Sequence, residues 1–329
     1  MTFMVAVVAG IIPMLIYPFF LYWMDRYEKE PLGLVLAVFL WGFLPAAILS
    51  LITQLVFGVP FMLLDQGGQL ADVVTVSVLA PITEELFKGL GVLLVFLLWR
   101  YEFDGLFDGI IYGSLVGFGF AAIENVLYFM SGEALGALIL MRAFVFGLNH
   151  ALFTSLTGIG FGVARHARSA LLRYTAPLLG LIAAIGAHSL HNTSLLLASE
   201  MEGLICLALV ADWGGVLFVF VIMLLALRRE RQWIITQLKD EVARQTLTNA
   251  QFEAAYSIGR RLRVRLQALL TGGPALWLRT GRYFHILTKL AYQKQAHSMR
   301  GEAGAGLGRI EELRAQATAL SAELKAQFG

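Results

Sequence analysis

Five ionisable side chains stand inside long, largely apolar stretches of sequence. They are Glu84 and Glu85 in "APITEELFKG", Glu124 in "FDGIIYGSLVGFGFAAIENVLYF", His150 in "RAFVFGLNHALFTSLTG" and His188 in "AHSLHNTS". A charge at the centre of a bilayer costs about 2.5–3.5 kcal/mol on insertion scales, so each of these residues needs a partner or a task. Carboxylates, imidazoles and an amide around trapped water are the groups required to add water to an amide bond. A Glu takes the proton from water, a His delivers one to the leaving amine, and a His or Asn192 donates to the oxyanion. The same groups could instead hold a metal. Glu124, His150 and His188 form a carboxylate and two-imidazole set of the type that binds a divalent cation such as zinc and leaves a position for water. No H-E-x-x-H helix is present, and the sequence leaves both routes open.

The spacing within each stretch refines this reading. On a helix Glu84 and Lys88 share a face four residues apart, and Glu85 lies three from the same Lys. One Lys neutralises one carboxylate, and the other is left able to accept a proton from water; Glu85 is the expected base. Pro81, with no N–H, should open or kink the helix a turn before the pair. In the next stretch Asn125 follows Glu124, and Gly113, Gly117 and Gly119 permit close helix approach. His150 and Thr154 share a face, and His188, His191 and Asn192 fall at i, i+3 and i+4. His191 is read as flanking the site, Arg142 as nearer the outer face, Asp212 as structural, and Asp104 and Asp108 as capping groups. Each residue alone is equally well explained by helix packing. A common depth across four stretches argues instead for one site.

The elements that must position these groups follow from composition. Of 329 residues, 58% are hydrophobic and 15% charged, and the mean hydropathy is +0.72. That charged share is well below the roughly 25% of a soluble domain. Seven stretches near 3–22, 32–56, 71–99, 109–130, 135–163, 176–198 and 203–227 reach the roughly 20 residues that a helix needs to cross a bilayer. The first lacks the basic leader and cleavage site of a signal peptide and is read as a helix. Residues 1–227 carry 8 Lys and Arg against 15 Asp and Glu, and residues 228–329 carry 17 against 8. The expected fold is therefore all-α, with a polytopic membrane bundle of about seven helices over 1–227 and a basic helical cytosolic region over 228–329.

Arg26, Lys29, Arg100, Arg165, Arg168 and Arg173 all fall in odd-numbered loops, which places the N-terminus outside and the C-terminus in the cytoplasm. In the tail, Ile310, Leu313, Ala317, Leu320 and Leu324 recur at helical spacing. The run Arg260, Arg261, Arg263, Arg265, Arg279 and Arg282 suits anionic lipid headgroups or, equally, a solvated basic helix face, and no nucleic acid is expected. The Gly-rich segment 301–308 reads as a linker, and Cys206, the lone cysteine, as core filler.

Together with "YEKEP" at 27–31, these motifs over roughly 25–195 resemble the PrsW family of intramembrane proteases, distant relatives of the CAAX prenyl endopeptidase and bacteriocin-processing superfamily. The resemblance matches Glu84, Glu85 and Lys88 to the family's E-E-x-x-K, Phe120 and Glu124 to its F-x-x-x-E, and His150 and His188 to its later histidines. It implies a bacterial inner membrane and cleavage of a membrane-anchored protein, such as an anti-sigma factor or another single-pass substrate. It also implies an acid near Gly105, for which Asp104 or Asp108 stands in. CAAX relatives carry His where this chain has Glu124, so their mechanism does not transfer whole. Other readings are cleavage of a lipidated peptide, a proton or cation transporter using the same cluster, and an inactive scaffold.

Overall fold

The computed structural model describes residues 2–65, 68–131, 134–300 and 306–328. Every regular element among them is helical: α1 (Thr2–Met24), α2 (Leu32–Trp41), α3 (Ala47–Leu64), α4 (Gln69–Val74), α5 (Ala80–Leu98), α6 (Leu106–Ser131), α7 (Leu135–Ile139), α8 (Asn149–Arg165), α9 (Ala170–Leu196), α10 (Gly203–Ala243), α11 (Asn249–Tyr256), α12 (Ile258–Arg300) and α13 (Leu307–Leu324). Helices satisfy their own backbone polar groups, which is what a chain needs where no water is available. Among the described residues, six helical runs are long and apolar enough to cross a membrane, where seven were expected. The remaining run, α4 to α5, carries Asp72, Glu84, Glu85 and Lys88, and their charge sets it apart from the six.

The chain forms two compact units, Met1–Trp23 with Glu30–Leu224, and Met24–Lys29 with Leu225–Gly329. In the first, α6 is the central helix and is buried along most of its length. Glycine lets α8 lie directly against it. A Cβ on Gly158 would sit 1.8 Å from the Gly109 carbonyl oxygen, and one on Gly117 would sit 2.2 Å from the His150 carbonyl oxygen. Backbones at that separation bring side chains from both helices to one point.

Three expected continuous stretches are interrupted by π-helical turns, at Gly42–Ala46, Thr75–Leu79 and Leu140–Val145. The second directly precedes Pro81, which occupies the first turn of α5, so the opening expected before the Glu pair is a π-turn rather than a kink within α5. The third, with the turn at 146–148, places His150 at the start of α8 instead of in mid-helix. Such turns leave backbone groups outside the regular ladder and recur at functional sites.

In the second unit, Ile310, Leu313, Ala317 and Leu324 of α13 pack on Tyr283, Leu287 and Leu290 of α12, as their helical spacing requires. α12 turns at Gly273, whose φ of 68° favours glycine. The segment Met24–Lys29 belongs here through Tyr27, which is buried in the same core. Arg261 is buried and donates to the carbonyls of Tyr27 and Ala255, so it is not free for headgroups as expected; Arg265 stacks on Trp277. Arg260, Arg263, Arg279 and Arg282 remain exposed. Of the expected linker 301–308, residues 301–305 lie outside the described residues.

Candidate active site

Four helices of the first unit bring the polar residues together at a cavity of about 810 Å³. Glu84 from α5, Glu124 and Asn125 from α6, His150 from α8 and His188, His191 and Asn192 from α9 all line it. Glu85 and Lys88 do not. Both are fully buried behind the wall, where Lys88 Nζ lies 2.5 Å from Glu85 Oε1 and 3.8 Å from Glu84 Oε2. The expectation that Glu85 meets the water is therefore corrected. The α5 helix turns Glu84 to the cavity and Glu85 into the protein, because consecutive residues on a helix point about 100° apart.

Glu85 instead holds its neighbours in place. His188 donates through Nδ1 to Glu85 Oε1 at 3.0 Å, and Thr154 donates to Glu85 Oε2 at 3.1 Å. That leaves His188 Nε2 facing Glu84, 3.9 Å from its Oε2. Glu124 plays the equivalent part for His150, with Oε2 2.6 Å from Nε2, while Lys88 donates to His150 Nδ1 at 3.2 Å. Phe120 underlies this group, with the Lys88 ammonium 4.4 Å above its ring and His150 beside it.

The donor set closest in space is Glu84, His150 and His188, whose ligand atoms lie within 4.8 Å of one another. The set expected from sequence had Glu124 in place of Glu84. Glu124 is already committed to Arg142 at 2.9 Å and to His150. Glu84 is less so. Gln54 donates to its Oε1 at 3.3 Å, and its buried Oε2 has no hydrogen-bond partner.

A model of the PrsW family of intramembrane metalloproteases matches residues 30–228. Proteins described as Protease PrsW match as well. The one from Geobacillus kaustophilus is 33% identical over 48% of this chain and 66% of its own length, and the one from Bacillus subtilis 31% identical over 48% and 67%. That from Oceanobacillus iheyensis is 30% identical over 48% and 68%. The chain belongs to the PrsW family. No solved structure matches it. The matches to these relatives cover about two thirds of their length, and the family model ends at residue 228, so residues 229–329 lie outside it.

Several residues around the cavity were not legible in the sequence. Arg142, which the sequence did not assign to the site, lines the cavity, donating to Glu124 and, at 3.1 Å, to Asn125 Oδ1. The break in the fifth stretch turns it inward. Gln54 was passed over although it is the one amide in an apolar run. Asn149 and Asp212 join His191 in a polar cluster one turn along α9 from His188. Asn192, expected at the oxyanion, donates to the Val76 carbonyl in the second π-turn at 2.9 Å. Asp108 accepts from the backbone N–H groups of Asp104 and Gly105, a capping role at the start of α6.

Proposed function

We propose that this chain carries out the family's intramembrane proteolysis at Glu84, His150 and His188, hydrolysing a peptide bond in a membrane-anchored, single-pass protein of the anti-sigma-factor kind. The observation that carries this reading is the convergence of those three side chains on the wall of a cavity within the helix bundle. Leu44, Ile48, Leu51, Leu127 and Tyr128 line the same cavity and are also 46–54% exposed on the bundle. An opening flanked by apolar side chains admits an apolar segment from lipid, which suits an anchored substrate better than a soluble one.

The family description includes a metal, and the residues fit one. One carboxylate and two imidazoles are a three-ligand set of catalytic type, and Glu84 Oε2 faces the set with no hydrogen bond of its own, 3.9 Å from His188 Nε2 and 3.8 Å from Lys88 Nζ. A divalent cation such as zinc held by Glu84, His150 and His188 would polarise the scissile carbonyl and lower the pKa of a bound water. The chain's own groups prepare that place. Glu85 fixes the ring of His188 through Nδ1, Glu124 fixes that of His150, and Arg142 balances the charge of Glu124. Lys88 balances the Glu pair, and its ammonium would have to leave His150 Nδ1 for that nitrogen to bind an ion. The membrane is proposed to be a bacterial inner membrane, with the N-terminus outside and Arg260, Arg263, Arg279 and Arg282 toward anionic headgroups on the cytoplasmic side, at about 1 kcal/mol each.

The test is Glu84→Gln in the purified full chain, with cleavage of a transmembrane reporter peptide and bound zinc both measured. Cleavage should fall at least about a hundredfold and zinc content should fall with it. Unchanged cleavage overturns the reading, and ion flux in liposomes lost with the same substitution, without proteolysis, would favour the transporter.

A further inference from the structure

If Glu84, His150 and His188 are occupied in holding the water, a separate group must carry its proton. Glu85 is sealed behind the wall, and Glu124 is bound to Arg142 and His150. The cavity has one further imidazole, His191, which like His188 has a buried carboxylate at Nδ1 but lies outside the three-ligand set. Its Nδ1 lies 2.7 Å from Asp212 Oδ2, and the Asp212 side chain is itself only 4% exposed. Asn149 donates to the same Asp212 oxygen at 2.9 Å, and its amide lies 3.1 Å from His191 Nδ1 and 3.5 Å from Nε2. Phe146 meets the ring edge-on, with centroids 5.0 Å apart. A carboxylate only accepts, so the 2.7 Å contact places a proton on Nδ1 and leaves the lone pair on Nε2. A buried acid that fixes both the tautomer and the orientation of an imidazole, beside a cavity, is the arrangement of a proton carrier.

We propose that His191 is the catalytic residue that moves the proton in peptide hydrolysis, with Asp212 and Asn149 as its positioning residues. The inference rests on the water site proposed above. As the water oxygen bonds to the scissile carbonyl carbon, one water proton passes to His191 Nε2, and Asp212 stabilises the imidazolium. The carbon–nitrogen bond then breaks with its electron pair going to nitrogen, which takes that proton from Nε2. The products are a carboxylic acid and an amine, and His191 returns to its starting form. Asp212 lies on α10, outside the motifs that mark the family's Glu and His residues, and Asn149 at the start of α8 completes the support of the ring.

The experiment compares His191→Gln, Asp212→Asn and Glu84→Gln in the purified full chain, following kcat and KM for a transmembrane reporter peptide, zinc content and thermal unfolding. His191→Gln should lower kcat about a hundredfold, with KM and zinc content unchanged. Asp212→Asn should lower kcat at least about tenfold, and Asp212→Glu should restore part of it. Added imidazole should partly rescue His191→Gly, which a packing role would not allow. If His191→Gln keeps kcat within about threefold, or loses zinc along with activity, His191 is not the proton carrier. If His191→Gln does not fold, an unaltered kcat in folded Asp212→Asn overturns the proposal equally. Full cleavage by Glu84→Gln would sink the water site itself, whereas a dead Glu84→Gln beside a fully active His191→Gln would sink this inference alone.

Discussion

Lys88 and Glu85 form an ion pair at 2.5 Å with neither side chain exposed. A buried pair of this sort gives little net stability, yet removing one partner is costly, about 3–5 kcal/mol, because the other is left charged and unpaired. Glu85→Gln should therefore lower the unfolding temperature clearly, and Glu85→Gln with Lys88→Met should recover most of the loss. Both variants lose the carboxylate behind His188, so cleavage and zinc affinity should stay about 10–100-fold down in each. Thermal unfolding beside a cleavage assay separates the two effects. Recovery of cleavage in the double variant would show that Glu85 acts only by neutralising Lys88.

The closeness of α6 and α8 is the next point open to test. A Cβ on Gly117 would sit 2.2 Å from the His150 carbonyl oxygen and 2.6 Å from the Ala151 nitrogen, both backbone atoms. Gly117→Ala must push the start of α8 away, and His150 with it. A displacement of about 1 Å at a reacting group can cost about a hundredfold in rate. The expected result is a folded protein with cleavage reduced by that order. Gly136→Ala, at a position with no heavy atom within 4 Å of the added methyl, serves as the control. Equal activity in the two variants would remove the close contact from the account.

The sequence was most legible where it broke a local rule. Glu84, Glu85, Glu124, His150 and His188 were conspicuous because a charge in an apolar stretch is costly, and all five meet at or just behind one cavity wall. What spacing could not reveal was which of two adjacent acids faces water, since that depends on how α5 is rotated against its neighbours. The π-turns were equally hidden. Nothing in the composition of Leu140–Val145 marks a change from four-residue to five-residue bonding, and the place of Arg142 depends on that turn. Asp212 looked structural because its partners, Asn149 and His191, are 63 and 21 residues away in the chain.

Arg142 supplies a third prediction. Its guanidinium meets Glu124 through Nη2 at 2.9 Å and Asn125 through Nε at 3.1 Å, and packs on the Tyr128 ring. Hydrogen bonds to charged groups are worth about 1.5–3 kcal/mol, or roughly ten- to a hundredfold in rate if the loss reaches the transition state. Arg142→Gln should reduce kcat by that amount. Arg142→Lys should recover only part of it, since an ammonium cannot span two acceptors as the planar fork does. Full activity in Arg142→Gln would mean that His150 is held adequately by Glu124 without a counter-charge.

The last prediction concerns the second unit by itself. Arg261 is buried and donates to the Ala255 carbonyl at 2.8 Å, the Tyr27 carbonyl at 3.0 Å and the Thr288 hydroxyl at 2.8 Å, with the rings of Tyr27 and Phe284 about it. Three donors from one side chain thus tie residues 24–29, α11 and α12 together. Arg261→Met fills much the same space but leaves those buried oxygens short of donors, at about 1–3 kcal/mol for each group left unsatisfied. Thr288 still reaches the Tyr27 carbonyl at 3.2 Å, so the larger loss should fall on Ala255. Amide hydrogen exchange in the full chain is the suitable measurement, because it reports local opening segment by segment. Peptides covering 24–29 and 255–261 should exchange at least about tenfold faster in Arg261→Met, the factor that corresponds to 1.4 kcal/mol. Arg261→Lys should fall between the two, since one ammonium cannot replace a fork aimed at three acceptors. Unchanged exchange in both segments would mean that Tyr27 is held by its ring in the apolar core and not by its backbone.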